Sequence, residues 1–261
     1  MSKRMFDGYE PRSTRRAGLQ FIRLLTRAAP SFCLSLLQKT ANFTPEPQGV
    51  CSLPPESGNV PFMERAADIA AVLLTGGQSR RMGFDKTFLR AGGRPVSRML
   101  ADRLLEISDE VLVAGNGSRD RSLANLPAVQ DLYAGAGPLA GLHAAFLRTS
   151  RPWLIVLACD LPCITTDFLR TLSAARTGYD AVIPVTSDGG LHPACAIYHR
   201  NCLPTIERNL EAGRNRMLEL LGEPSLRIRT WPCAEAGFRD SELVDLNTPE
   251  DYQQFQLRFK S

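Results

Sequence analysis

A glycine pair followed closely by two arginines and a lysine is an arrangement suited to holding phosphate. In the segment L-T-G-G-Q-S-R-R-M-G-F-D-K (74–86), Gly76 and Gly77 let the backbone turn sharply and approach a ligand closely. Successive N–H groups in such a turn form a concavity that accepts phosphate oxygens. Arg80, Arg81 and Lys86 add positive charge within the same loop. A surface turn with a solvated basic cluster is the plainer reading of any lone Gly-Gly. Here the glycine pair, both arginines, Gly83 and Lys86 all follow one apolar run, Ile69–Leu74, at the expected end of a strand. Two familiar phosphate loops do not fit. A Walker loop needs G-x-x-x-x-G-K-[ST], and a dinucleotide fingerprint needs G-x-G-x-x-G with a prompt helix.

Further candidates lie downstream. Asp160 ends an apolar run, where burial of a carboxylate is costly unless it has a task. An oxygen there can hold a hard cation such as Mg²⁺, with waters and phosphate completing the octahedron; a turn cap before Pro162 is the structural alternative. Asp131 can accept hydrogen bonds from a ribose or a base, or simply form a turn. Gly135, Gly137 and Pro138 shape a tight turn into a helix N-terminus, which favours anions. Asn247 either contacts a second substrate or caps the helix that begins at Thr248. His192 can serve as a base or as a hydrogen-bonded structural residue.

These residues need elements to position them. Ile69–Leu74 and Trp153–Cys159 read as strands buried on both faces, with further strands at 110–114, 128–130, 181–185, 194–198, 226–231 and 242–246. Helices are expected at 95–107, 138–148, 165–176 and 203–211. Thr165 or Thr166 caps the third, and the fourth ends at Gly213. A last helix opens at T-P-E (248–250) with proline in its first turn. The alternation predicts a Rossmann-like three-layer α/β/α fold with a mainly parallel sheet. Such sheets bind ligands at the carboxyl ends of their strands.

Composition narrows the partners. The 261 residues carry a formal net charge of +4. Residues 1–62 account for all of it, with eight basic and four acidic side chains, so the remainder is neutral. A neutral domain has no bulk field for nucleic acid, and its phosphates must be held by a few placed groups. No apolar run reaches the roughly 18 residues a membrane span needs. Seven cysteines, with no Cys-x-x-Cys pair, read as reduced thiols packed in or near the core of a cytoplasmic protein. Pro45, Pro47, Pro54, Pro55 and Pro61 mark residues 1–62 as a disordered extension or a start assigned too early, with Met63 opening the domain at 63–261. An organellar transit peptide and a partner-binding arm remain alternatives for that stretch.

The loop at 74–86 resembles the nucleotidyltransferase signature Leu-x-Gly-Gly-x-Ser-x-Arg-Met-Gly-x-Asp-Lys, and within that superfamily the chain is most similar to the molybdenum cofactor guanylyltransferases. The resemblance runs from about Ile69 to Phe255. Asp131 precedes A-G-A-G-P-L-A-G (134–141), like the family's Asp and Gly-Pro-Leu-x-Gly turn. C-D-L-P (159–162) resembles its metal-binding Asp motif, D-G-G-L-H-P (188–193) its Asp-Gly element and D-L-N-T-P-E-D (245–251) its C-terminal Asn-Thr-Pro-Glu. The chain departs from the pattern in three places. Thr75 stands where Ala is usual and adds a hydroxyl close to the phosphates. Ala114 stands where some relatives carry Asn, leaving Asn116 as the nearby polar candidate. His192 stands where Gln is common.

The resemblance implies that Leu74, Thr75, Gly76, Gly77, Lys86, Asn116, Asp131, Gly137 and Asp160 bind GTP. It implies that Lys86, Asp160, Arg80 and Arg81 carry the chemistry with Mg²⁺ on Asp160, and that His192 and Asn247 face the acceptor. GMP would pass from GTP to molybdopterin or Mo-molybdopterin in a monomeric enzyme that meets molybdopterin-loading proteins or molybdoenzymes only transiently. Gly76-Gly77 favours guanylyl transfer, since Leu-Ala-Ala-Gly is commoner in cytidylyl and uridylyl enzymes. A cytidylyltransferase for the same cofactor, a sugar-phosphate nucleotidylyltransferase and a non-catalytic nucleotide-binding module are the alternatives.

Overall fold

A computed structural model describes residues 65–75, 89–115 and 120–257. Its frame is one seven-stranded sheet. The strands are β1 (Ile69–Leu74), β4 (Val111–Ala114), β5 (Ala128–Val129), β6 (Trp153–Ala158), β7 (Ala181–Val185), β8 (Cys195–His199) and β9 (Ile228–Pro232). They lie in the order β5-β4-β1-β6-β8-β7-β9. All neighbours run parallel except β8, which is antiparallel to both β6 and β7. A separate ribbon pairs β2 (Arg90–Ala91) with β3 (Arg94–Pro95).

Five helices cover the two faces: α1 (Val96–Leu105), α2 (Pro138–Arg148), α3 (Thr166–Ala174), α4 (Leu203–Glu211) and α5 (Pro249–Leu257). Successive strand side chains point to opposite faces. Ile69, Ala71 and Leu73 therefore share one core with Leu100 and Leu104 of α1, Phe168 and Leu172 of α3, and Phe255 of α5. Ala70, Val72 and Leu74 share the other with Leu139 and Leu142 of α2, and with Ile206 and Leu210 of α4. Every residue of β1 is buried, which explains why its sequence is uniformly apolar rather than alternating. The expected three-layer α/β/α architecture is the one observed.

The local signals at helix ends also hold. Thr165 caps α3, its hydroxyl accepting from the Phe168 N–H at 3.0 Å. At α5 the reciprocal cap is made by Thr248 and Asp251: the Asp251 N–H donates to Thr248 Oγ1, and the Thr248 N–H to Asp251 Oδ2.

The chain departs from expectation in three places. Residues 242–246 are not a strand; a 3₁₀ turn covers Asp240–Leu243 and an irregular segment follows. Leu243 and Leu246 both point inward while Val244 is 46% exposed, a spacing of three rather than the two that a strand requires. The β2–β3 hairpin was not anticipated. Its turn is Gly92-Gly93, with φ of 54° and 84°, and two adjacent residues at positive φ are what a two-residue hairpin turn needs. Finally, Thr75 does not point its hydroxyl at a ligand, as described below. Cys195, Cys202 and Cys233 are buried free thiols. Among the described residues no helix is long and apolar enough to cross a membrane.

Candidate active site

The sheet reverses its winding at β1. From β1 the chain passes through α1 to β4 on one side, then through α2 back to β6 on the other. A crevice at the carboxyl end of β1 follows from that reversal. Leu74 stands level with Ala114 of β4 and Ala158 of β6. Thr75 donates from both its N–H and its hydroxyl to the Ala114 carbonyl, each at 2.8 Å, and the Cys159 N–H donates to the Leu74 carbonyl at 3.0 Å. The upstream end of the phosphate loop is thus fixed between two strands. Thr75 is buried, so its hydroxyl stitches β1 to β4 instead of facing the phosphates; this corrects the role expected of it. Gly76, Gly77, Arg80, Arg81, Lys86 and Asn116 lie outside the described residues.

Asp160 follows directly after β6 and is partly buried. Two contacts hold its segment. The Leu246 N–H donates to the Asp160 carbonyl at 2.9 Å. From α1, the Arg103 guanidinium donates to the carbonyls of Pro162, at 2.9 Å, and Ile164. Burial pushes the Arg103 pKa down, a cost accepted for fixing the turn. Arg103 escaped the sequence reading, although it lies three and four residues beyond Leu100 and Met99 on the inward face of α1. Asp245 was also passed over. Burial raises the Cys195 thiol well above its ordinary value, and Cys233, Asp245 and Asp160 push it further in that order. Asp245 precedes Leu246, whose N–H bonds the Asp160 carbonyl, so the two carboxylates belong to adjoining segments beyond β6. Among the described residues no group of three His, Cys, Asp or Glu side chains is placed to hold a metal. One or two carboxylates, with water and phosphate supplying the rest, is a donor set that fits Mg²⁺ rather than a softer ion.

Asp131 sits just beyond β5. Its Oδ1 is sealed from solvent and has no hydrogen-bond partner, and burial raises the pKa of its carboxyl group. A β-carbon placed on Gly141 of α2 would stand 2.8 Å from Leu74 Cδ2, 3.2 Å from Ala114 Cβ and 4.0 Å from Asp131 Oδ1. Gly141 therefore lets α2 press onto the ends of β1 and β4, and Asp131 lies at that seam. Gly137 enters the same helix at φ 70°, ψ −151°, a conformation that only glycine adopts without strain. No side chain caps the helix; Pro138 has no N–H, and the Ala140 N–H donates to the Gly137 carbonyl at 3.1 Å.

His192 and Asn247 belong to the far half of the sheet. His192 follows the turn after β7, in which Asp188 accepts from the Thr186 hydroxyl at 2.6 Å and from the Gly190 N–H at 3.1 Å. The Ser187 N–H ties this turn to Asp240 at 3.0 Å. Burial lowers the His192 pKa against the opposing pull of Asp188 and Asp240, favouring a neutral imidazole. The Asn247 N–H donates to Asp251 Oδ2, and the cap of α5 is Thr248, so capping does not occupy Asn247. Asn247 adjoins Leu246, whose amide holds Asp160, and the Ala158 N–H donates to the Ala194 carbonyl at 2.8 Å. The structure thus brings Leu74, Thr75, Asp131, Gly137 and Asp160 around the end of β1. It places His192 and Asn247 beside the β6 end of that crevice.

The class of protein is settled by this geometry together with one match. A family model described as the MobA-like NTP transferase domain matches residues 71–226, and the chain belongs to that family. A relative from Pelotomaculum thermopropionicum, named "Probable molybdenum cofactor guanylyltransferase", is 34% identical over 69% of this chain and 88% of its own length. One from Desulfosudis oleivorans, named "Molybdenum cofactor guanylyltransferase", is 28% identical over 74% of this chain and 96% of its own. The crystal structure of molybdopterin-guanine dinucleotide biosynthesis protein A from Archaeoglobus fulgidus has the same fold, with a TM-score of 0.62 and 23% identity over 72% of this chain and 97% of that one. So does the 2-C-methyl-D-erythritol 4-phosphate cytidylyltransferase of Thermus thermophilus, with a TM-score of 0.55 and 14% identity over 73% and 98%.

Proposed function

We propose that this chain transfers GMP from GTP to molybdopterin or Mo-molybdopterin, releasing pyrophosphate and forming molybdopterin guanine dinucleotide. The observation that carries the reading is that Leu74 at the root of the phosphate loop, Asp131 with its unpartnered buried oxygen, and Asp160 all stand at or just beyond the carboxyl ends of β1 and of parallel strands on either side of it. A cytidylyltransferase shares the fold, so the architecture alone leaves the base open. The Gly76-Gly77 pair and the names of the relatives favour guanine.

In this reading, backbone N–H groups of Gly76 and Gly77 cradle the triphosphate after Leu74 and Thr75. Arg80 and Arg81 contact its β- and γ-phosphates. Asp131 accepts from the ribose or the base, Asn116 is a further polar candidate for the nucleotide, and Gly137 shapes the anion-facing helix end. The acceptor's terminal phosphate, oriented by Asn247 and His192, attacks the α-phosphorus in line. One P–O bond forms, the α–β bridging bond breaks, and pyrophosphate leaves. A phosphate monoester is already nucleophilic at neutral pH, so neutral His192 need only orient it. Lys86 neutralises charge developing at the α-phosphorus. Asp160 holds Mg²⁺, which when bound neutralises phosphate oxygens. Catalysis is then positioning and electrostatics. The enzyme acts as a cytoplasmic monomer, its contacts with molybdopterin-loading proteins or molybdoenzymes are transient, and residues 1–62 are dispensable.

The test is Mg²⁺-dependent pyrophosphate release from GTP, CTP, ATP and UTP, with and without molybdopterin or its molybdate-loaded form. Release with GTP alone, dependent on acceptor, is expected. Preference for CTP would change the product, and release with none would move the case to a binding module. A protein starting at Met63 should retain the wild-type rate.

A further inference from the structure

Two segments flank the carboxyl end of β6. On one side the Ala158 N–H donates to the Ala194 carbonyl at 2.8 Å, and on the other the Leu246 N–H donates to the Asp160 carbonyl at 2.9 Å. The first segment carries His192 and the second Asn247. Asp240 ties the two directly to each other. Its Oδ1 accepts from the Ser187 N–H at 3.0 Å, and its Oδ2 accepts from the Ser187 hydroxyl. Within the turn itself, the Thr186 hydroxyl and the Gly190 N–H both donate to Asp188 Oδ1, and the Gly189 N–H donates to the Thr186 carbonyl at 2.9 Å. A β-carbon placed on Gly190 would stand 2.6 Å from Thr186 Oγ1, 3.2 Å from Asp188 Oδ1 and 3.8 Å from His192 Nε2, so the imidazole lies against this turn.

We propose that Asp240 is a positioning residue for the acceptor, holding Ser187 through both carboxylate oxygens and so fixing the turn beside His192 to the segment that leads to Asn247. The two partners are anchored unequally. Residues 240–247 are pinned by Leu243 and Leu246, each 2% exposed. The base of the turn is held by the sheet: Val185 bridges to Leu191, and the His192 N–H donates to the Pro184 carbonyl at 3.0 Å. Its tip, residues 187–189, is exposed, and the bonds within it fix its shape but not its tilt. A two-point grip by one carboxylate fixes direction as well as distance. Asp240 therefore sets how the tip, and the imidazole that lies against it, stand at the rim of the crevice. Its charge is felt there too: burial lowers the His192 pKa, and Asp188 and then Asp240 oppose that fall.

This rests on the functional reading above, and the test separates the two. In the full-length protein, three quantities are measured for wild type, Asp240→Ala, Asp240→Asn and Ser187→Ala: kcat/KM for molybdopterin at saturating GTP, GTP binding without acceptor by calorimetry, and exchange of the Ser187 amide by NMR. In Asp240→Ala the Ser187 amide should exchange faster. Its kcat/KM for molybdopterin should fall about three- to tenfold while GTP affinity changes by less than about twofold, a split that a general loss of stability would not produce. Asp240→Asn should recover most of the loss, because a carboxamide oxygen still accepts from the Ser187 N–H and its NH₂ can donate to Ser187 Oγ. An effect of charge alone would leave the asparagine variant like alanine. Ser187→Ala, which keeps the backbone bond, should fall between wild type and Asp240→Ala. Unchanged exchange in Asp240→Ala overturns the clasp. Faster exchange with kcat/KM for molybdopterin unchanged, with GTP binding lost in parallel, or with Asp240→Asn no better than alanine, overturns the positioning role. A wild-type protein that transfers no nucleotide to molybdopterin removes the functional reading and this role with it, while the amide exchange still reports the clasp.

Discussion

Two carboxylates, one near each end of the sheet, are treated in opposite ways. Asp180 precedes β7 at the end away from the crevice and is buried. Burial alone would raise its pKa, but the Arg227 N–H at 2.9 Å, the Asn201 side-chain amide at 2.8 Å and the Arg227 guanidinium outweigh it and hold the carboxyl below its ordinary value. Asp131, at the carboxyl end, has one oxygen sealed from solvent with no partner, and its pKa is raised. A buried acceptor left unpaired costs free energy in the unliganded protein. The difference separates them: Asp180 is fully satisfied at one end of the sheet, and Asp131 keeps one acceptor unpaired at the other, where the proposed function puts the nucleotide.

The comparison is broken most severely at the reacting groups. On the proposed function, in which both groups act on charge, Lys86→Ala and Asp160→Ala are each expected to lower turnover by roughly 10²–10³ with the fold intact. Wild-type turnover in either purified variant would remove that residue from the chemistry.

Substitution of the two contrasting carboxylates should give mirror-image results. Asp180→Asn loses charge-assisted bonds and should cost about 1.5–3 kcal/mol of stability by urea titration, with kcat/KM of the folded fraction preserved. Asp131→Asn should weaken GTP binding about tenfold or more while stability at neutral pH holds or rises, because an ionised, unpaired oxygen is replaced by a neutral amide. If Asp131→Asn destabilises and Asp180→Asn weakens binding, the assignment is inverted.

The pH dependences should likewise oppose each other. Asp180, with its folded pKa depressed, contributes stability that is complete above the ordinary carboxylate pKa and is lost as pH falls through the lower folded value. Asp131, with its folded pKa raised, binds more protons folded than unfolded in the window above the ordinary value, so it lowers stability as pH rises through that window. Comparing wild type with each Asn variant across acid pH isolates both slopes.

The smallest effect is expected at Thr75. Thr75→Ala removes the hydroxyl bond to Ala114 but leaves the backbone bond, and should cost about 0.5–1.5 kcal/mol of stability with GTP affinity nearly unchanged. A tenfold loss of GTP affinity would return the hydroxyl to the phosphates.

How much of this was legible in the sequence depended on whether a signal was local. Uniformly apolar runs marked β1, β4 and β6, because both faces of those strands are covered. Thr165 and T-P-E marked helix starts, because caps act over three residues. Residues 242–246 misled, since a short apolar segment reads alike as a strand or as a turn with inward leucines three apart. The hydroxyl of Thr75 was assigned to the ligand because nothing in its neighbourhood reveals that the Ala114 carbonyl, 39 residues on, lies within 2.8 Å. Arg103 escaped for the same reason: it acts on backbone brought near only by the fold. Asp160 was found because it closes an apolar run, and Asp131 because it precedes the A-G-A-G-P-L-A-G motif; both are local signals.

The account turns on which phosphorus is attacked. GTP labelled at the α-phosphorus, incubated with the protein, Mg²⁺ and molybdopterin, should transfer its label to the acceptor while a β-label leaves entirely in pyrophosphate. Label released as GDP and inorganic phosphate, or retained in GTP under conditions where GTP is bound, would contradict nucleotidyl transfer at this site.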